Sequence, residues 1–246
     1  MLSEGLSPQA EAPIAEIAAD GRRAVSAVYA VRVDALAEPA LFEAAARRLT
    51  AQRAEMLRRL QAPAARRRCA GAGALLSYVL EQHGYDPGAE LSFSAAGKPY
   101  LPGASGFHFN LSHAGAWVIC AVSSCEVGCD IEEIRPRMPK RILRHLPPEE
   151  QRLLAAAPDA ADLFFRLWTL RESYAKATGT GLTLPLTPVD LSLCEGSGKP
   201  SPASPYRFYE YEDFAGYHCA VCIKGGGAVR PAVHITDFES VVFPRG

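Results

Sequence analysis

The sequence predicts an α+β protein, on three observations. Short apolar or alternating runs bounded by Gly, Pro, Asn and Ser read as strands, and they come in groups. Helical patterns stand apart from those groups instead of alternating with single strands, which argues against a wound parallel sheet. Each half of the chain reads as a helix followed by several strands, so a two-fold duplication of about 120 residues is a further expectation.

The elements follow in order. Residues 1–23 read as a loose, Ala-rich, acidic leader, and AVSAVYAVRV as a short strand. From Pro39 to about Leu60 the pattern is helical, with Arg47, Arg48, Arg53, Arg58 and Arg59 on one side. Pro63 opens a second helix that runs to Gly84, a suitable C-cap. ELSFS, the turn Gly97-Lys98-Pro99, GFHFNLSH, AWVICAVSS and EVGCDIEEI then read as strands with turn punctuation. RPRMPKRILRHLPPEEQ mixes Pro with basic residues and reads as a loop with short helices. Asp162 to Thr178 is an amphipathic helix stopped by Gly179-Thr180-Gly181. VDLSLC, YRFYEYE, YHCAVCIK and AVHITDF return to strands.

Composition narrows the function classes. A net charge of −1 argues against a general nucleic-acid binder. The first residues carry Glu4, Glu11, Glu16 and Asp20 and no continuous apolar segment, unlike a secretory signal. No apolar run approaches the roughly 20 residues of a membrane helix. The expectation is a soluble, cytoplasmic monomer with no membrane or nucleic-acid partner. The cysteines number seven and are irregularly spaced, which suggests buried free thiols. Cys219 and Cys222 have C-x-x-C spacing, but no second pair completes a zinc site, and in a strand they point to opposite faces.

Several residues could carry chemistry. Asp130 and Glu132 flank Ile131 in a strand, so both carboxylates share one face. They repel unless something positive sits beside them, and Mg²⁺ often takes one or two carboxylates plus substrate phosphates. A solvated strand end is the plainer alternative. In LWTLRESYAKATG, Trp168, Glu172 and Lys176 form one helical stripe, which on its own is also compatible with a surface ion pair. Asn110-Leu111-Ser112-His113 ends a strand at a turn whose backbone N–H groups could hold a phosphate, with His113 as a further donor. Lys98 lies in a turn. Arg53, Arg66, Arg67 and Arg68 suggest an anionic ligand, or simply a solvated face.

The order of these segments is more informative than any one of them. GKP, NLSH, GCDIEE and WTLRESYAKATGTGL closely resemble the motif series of the surfactin-type (group II) 4'-phosphopantetheinyl transferases: G-K-P, N-[IL]-S-H, G-[IVC]-D-[IV]-E and W-x-x-[KR]-E-[SA]-x-x-K. The likeness runs from about Arg53 to Leu186 and includes Gly181-Leu182-Thr183-Leu184-Pro185-Leu186. Cys129 stands where a branched apolar residue is common, and the leader matches nothing.

The resemblance implies an enzyme of the holo-[acyl-carrier-protein] synthase type. It would move 4'-phosphopantetheine from coenzyme A to a serine of an apo acyl or peptidyl carrier protein, releasing adenosine 3',5'-bisphosphate. It implies two similar halves about a pseudo-two-fold axis, each an antiparallel sheet with a packed helix, and coenzyme A in the cleft between them. Residues 24–123 and 124–246 would be those halves. Asp130, Glu132 and Glu172 would bind Mg²⁺ with the pyrophosphate. Lys176, His113 and Ser112 would contact phosphate oxygens, Arg53 and Arg68 the 3'-phosphate, and Lys98 the nucleotide. Glu172 would be the general base, with Lys176 and His113 as its catalytic partners. RPRMPKRILRHL, between the metal strand and the catalytic helix, would dock an acidic carrier, or is only a mobile, solvated linker, since Pro136 and Pro139 interrupt any long helix. Its Arg135, Arg137, Lys140, Arg141 and Arg144 would steer the carrier, and Met138, Ile142 and Leu143 would seat it.

Two rival readings compete with this one. Arg68-Cys69-Ala70-Gly71-Ala72-Gly73 fits the R-x-x-G-x-G loop of coenzyme A-dependent N-acetyltransferases, although it falls inside a helical stretch. A regulator that binds coenzyme A through the arginines without turnover is the other. Carboxylates facing a pyrophosphate oppose it unless a metal is present.

Overall fold

The computed structural model describes residues 16–17, 23–24, 26–182, 186–191, 194, 204–225 and 230–244. The 1–23 leader, the 183–185 part of GLTLPL and the middle of VDLSLC therefore lie largely outside the described residues. A two-residue ladder joins β1 (Glu16–Ile17) and β2 (Arg23–Ala24). β3 (Ser26–Arg32) is followed by a 3-10 turn, then α1 (Pro39–Arg47), α2 (Ala51–Arg59) and α3 (Pro63–Gln82). The single helix expected from Pro39 to Leu60 is thus two. Thr50 is the N-cap of α2, its hydroxyl accepting from the Arg53 N–H at 3.4 Å, so the chain restarts there instead of continuing.

β4 (Ser92–Phe93) and β5 (Pro99–Tyr100) form a small hairpin. β6 (His108–Ala114), β7 (Trp117–Ser123) and β8 (Val127–Glu133) come next. The Pro-rich stretch holds α4 (Lys140–Leu143) and α5 (Pro148–Ala156). The long helix is α6 (Ala160–Thr178), capped by the Asp159 side chain and ended by Gly179 at φ +69°. β9 (Tyr206–Tyr211), β10 (Tyr217–Lys224), β11 (Ala232–Thr236) and α7 (Phe238–Val242) complete the described chain.

The strands form two main sheets, in the orders β11-β3-β7-β6 and β8-β10-β9. Leaving β11 aside, both halves run strand, helix, strand, strand: β3-α3-β6-β7 and β8-α6-β9-β10. In each sheet the third strand sits between the first and the second. This repeated topology is the duplication that the sequence suggested. One departure is that β11 pairs in parallel with β3, so the first sheet is mixed, and the C-terminal segment crosses back to the N-terminal half. Phe238, Val241 and Val242 of α7 hold it there by burying into the first core.

Strand alternation builds four layers. In β3 and β7, Ala27, Val31, Val118, Cys120 and Val122 pack against α3. Val28, Ala30, Ile119 and Ala121 point the other way and meet Val127, Cys129, Ile131, Val221 and Ile223 of the second sheet. The far face of that sheet, including Ala220 and Cys222, packs on Leu170 and Ala177 of α6. Cys219 and Cys222 accordingly lie in different clusters. Gly71 and Gly73 let neighbours close on α3: a Cβ would lie 2.4 Å from Val33 Cγ1 and 2.1 Å from Leu49 Cδ2, respectively. Arg68 to Gly73 is continuous helix with a packing role for its glycines, which removes the N-acetyltransferase loop reading.

Candidate active site

Because Cys129 and Ile131 face the inter-sheet core, alternation turns Gly128, Asp130 and Glu132 toward α6. At Gly128 the strand and helix backbones touch. A Cβ there would sit 2.2 Å from both Ala177 N and Ser173 O. This close approach brings the last turn of α6, with Lys176, onto the strand that carries Asp130. Lys176 Nζ donates to Asp130 Oδ1 at 2.6 Å and to Ser112 Oγ at 3.1 Å, and Ser112 Oγ donates to Asp130 Oδ1 at 2.7 Å. Three sequence segments thus meet at one carboxylate oxygen.

The other oxygen, Asp130 Oδ2, is buried and has no hydrogen-bond partner among the described residues. Burial pushes the Asp130 pKa up, against the pull of Lys176 and Ser112. Burial alone would lower the Lys176 pKa, but the Asp130 carboxylate reverses this and raises it, so the ammonium stays charged. Burial, and then Asp130, raises Glu172 and pushes Glu132 up to about 7. Burial is the leading cause at all three carboxylates, and the charge of Asp130 adds to it at Glu132 and Glu172.

This crowding of buried carboxylates bears on Mg²⁺. Glu132 is paired with Arg135 at 3.4 Å, and among the described residues no three His, Cys, Asp or Glu side chains converge as a ready cage. Mg²⁺ does not require one, since it commonly takes one or two carboxylates and completes its shell with water and substrate phosphate. The orphaned Asp130 Oδ2 and the mutually repelling carboxylates fit such an ion.

Beside the carboxylates lies a positive region. Desolvation first, and further the charges of Arg68, Lys176 and Arg53, hold the His113 imidazole below its ordinary pKa, which places these basic groups in one neighbourhood. Desolvation also lowers the Arg53 pKa, and a Cβ at Gly73 would lie 2.5 Å from Arg53 Cδ, so α3 presses directly on that side chain's stem. Arg66 is engaged differently. It donates to the Leu57 and Leu60 carbonyls and lies over the Phe42 ring, tying α2 and α3 together. Lys98 Nζ donates to Val127 O at 2.8 Å and Ala177 O at 3.2 Å, which bridges the β4–β5 hairpin to the joint between β8 and α6. A cavity of about 220 Å³ is lined by Gly97, Lys98, Asn110, Glu172 and Lys176, and one of about 370 Å³ adjoins it across Lys98, reaching Tyr100 and His108.

Two polar groupings join segments in ways that the sequence does not reveal. Arg171 and Glu150 form a buried pair, N–O 2.6 Å, that also accepts the Val189 N–H and ties α5, α6 and the following loop together. Asn110 bonds across the two sheets. In the segment expected to dock a carrier, Arg135, Arg137, Lys140, Arg141 and Arg144 are exposed. Met138, Ile142 and Leu143 instead pack partly against the chain's own Leu146, Phe164 and Phe165 cluster.

Two halves of one topology meet where carboxylates stand beside clustered cations, an arrangement suited to a metal-assisted transferase that acts on a phosphorylated substrate. Comparison with known proteins specifies it. Residues 126–222 match the 4'-phosphopantetheinyl transferase superfamily. The chain is 36% identical over 156 residues to the 4'-phosphopantetheinyl transferase Sfp of Bacillus subtilis (strain 168), covering 59% of this chain and 68% of that protein. It is 36% identical over 163 residues to the transferase ffp of Bacillus subtilis, covering 63% and 70%. With HetI of Nostoc sp. the identity is 39% over 126 residues, 48% of this chain and 53% of that protein. The chain belongs to the 4'-phosphopantetheinyl transferase superfamily. It is an enzyme that transfers phosphopantetheine from coenzyme A to a carrier protein and depends on Mg²⁺. Among the described residues no helix is long and apolar enough to cross a membrane.

Proposed function

We propose that this chain is a surfactin-type (group II) phosphopantetheinyl transferase with its reaction centre at Asp130, Glu132, Glu172 and Lys176. The observation that carries this reading is the bonding of Lys176, Ser112 and Asp130, one from each of three motifs, around a carboxylate whose second oxygen is unpartnered. Asp130, Glu132 and Glu172 would hold Mg²⁺, which when bound neutralises charge on the pyrophosphate as it develops. Lys176 donates to a phosphate oxygen from its place beside Asp130 and stabilises the same charge. His113, neutral at physiological pH because its pKa is held down, offers a ring N–H, and the Ser112 backbone offers another donor. Arg53 and Arg68 take the 3'-phosphate. Lys98 has two carbonyl partners and keeps a further N–H for the nucleotide.

Glu172 accepts the proton of the carrier serine. Burial, and then Asp130, raise its pKa, which strengthens it as a proton acceptor, and Lys176 offsets part of that rise. The functional division is the two halves, 24–123 and 124–246, with residues 232–242 returned to the first. The exposed basic residues between Arg135 and Arg144 steer an acidic carrier, with less apolar seating than the sequence alone suggested.

The test is incubation with coenzyme A, Mg²⁺ and several apo carrier proteins, followed by intact-mass measurement. A gain of one phosphopantetheine that disappears in folded Asp130→Ala and Glu172→Ala variants supports the assignment. Transfer at wild-type rates by either variant would overturn the site.

A further inference from the structure

β6 and β8 are edge strands of different sheets, and they run side by side without a ladder between them. The backbone groups on such facing edges need other partners. Asn110, on β6 and only 6% exposed, supplies one: its Oδ1 accepts the Cys129 N–H at 2.9 Å. The Cys129 thiol reaches back to the Asn110 carbonyl oxygen at 3.1 Å. Two residues further along the same face of β6, Ser112 donates to Asp130 Oδ1 at 2.7 Å. Side chains two apart on one edge therefore grip consecutive residues on the other.

We propose that Asn110 is a positioning residue for the transfer reaction, its amide oxygen replacing a missing strand-to-strand hydrogen bond and fixing β6 against β8, whose own register the β10 ladder sets, so that Ser112 meets Asp130 beside Lys176. This rests on the reading of Asp130 as a reaction-centre residue. The alignment of the two edges is demanding: a displacement of β6 along β8 by one residue, about 3.3 Å, would carry Ser112 away from Asp130 Oδ1. The side chain must also be short, neutral and able to accept an N–H. Leucine lacks the acceptor, and aspartate would add a negative charge where Asp130 already raises Glu132 and Glu172. Asn110 also lines the cavity with Glu172 and Lys176, so it stands at the joint and not at a remote packing site.

The first measurement needs no variant. In the wild-type protein without ligand, amide hydrogen exchange at Cys129 should be as slow as at ladder amides of β10, although β8 is an edge strand. Exchange as fast as an open edge amide would overturn the contact, whether or not the protein transfers phosphopantetheine. In Asn110→Ala, exchange should quicken in residues 127–133 and stay unchanged in α3 and β7. The kcat should fall by about 10²-fold, as for a small misplacement of a reacting group, with the carrier KM held within about twofold. A folded Asn110→Ala variant with wild-type kcat, or with only a raised carrier KM, would refute the positioning role. Wild-type protein that shows the protected Cys129 amide but no transfer would instead discard the reaction assignment and leave the structural contact standing.

Discussion

Glu132→Gln should stabilise the metal-free protein at alkaline pH. Glu132 sits near Asp130 and Glu172, and burial and then Asp130 push its pKa from 4.5 up to about 7. A carboxyl whose folded pKa is raised holds its proton more tightly in the folded state. Stability is therefore highest below the unfolded pKa and declines as pH rises from about 4.5 to about 7. A change of this size corresponds to about 3 kcal/mol at full strength. The Glu132 side chain is 23% exposed and pairs with Arg135, so solvent screening reduces the expected gain to roughly 1–2 kcal/mol. For a chain of this length that is a rise of about 3–6 °C in Tm. The assay is thermal denaturation of both proteins in EDTA at pH 5 and pH 8. The gain should be clear at pH 8 and much smaller at pH 5. Added Mg²⁺ should stabilise the wild type more than the variant, since the ion relieves the same repulsion. A variant no more stable than wild type at pH 8 would refute the account of crowded carboxylates.

Gly128→Ala should cost about 1–3 kcal/mol, because the new methyl meets the backbone of α6 at 2.2 Å and the helix must shift. Urea denaturation checks this, and unchanged stability would mean that the β8–α6 joint is looser than described. If Arg53 and Arg68 hold the 3'-phosphate, coenzyme A should bind more tightly than dephospho-coenzyme A by at least roughly 10- to 100-fold, the worth of one charge-assisted bond at about 1.5–3 kcal/mol. Calorimetry with both ligands measures it, and equal affinities would place those arginines elsewhere. Arg137→Glu combined with Arg141→Glu should raise the carrier KM and weaken its salt dependence while leaving coenzyme A affinity unchanged. An unaltered carrier KM would move the docking surface.

Along the chain, local spacing made only the geometry within each element legible, and the roles of the site residues came from the likeness of the motif series as a whole. Alternation put Asp130 and Glu132 on one face, and helical periodicity aligned Glu172 with Lys176. Gly179 marked the end of α6, and the grouped strands gave the α+β class and the duplicated topology. The helix break at Thr50 was harder to read, since one weak capping bond decides it within a continuous polar pattern.

What the chain alone left open was every relation between distant segments. Periodicity says that Asp130 and Glu132 share a face, but not that this face meets α6. That follows from Cys129 and Ile131 being claimed by the other sheet. Ser112 and Lys176 are 64 positions apart, and only the meeting of edge strands β6 and β8 under α6 brings them to one carboxylate. Arg66 and Arg68 look alike in a basic run, yet the fold spends the first on helix-end carbonyls and sets the second near His113. The parallel return of β11 and the bond from Asn110 to Cys129 belong to the same class. Local pattern fixes which way a side chain points within its own element, whereas packing between elements decides what it meets there.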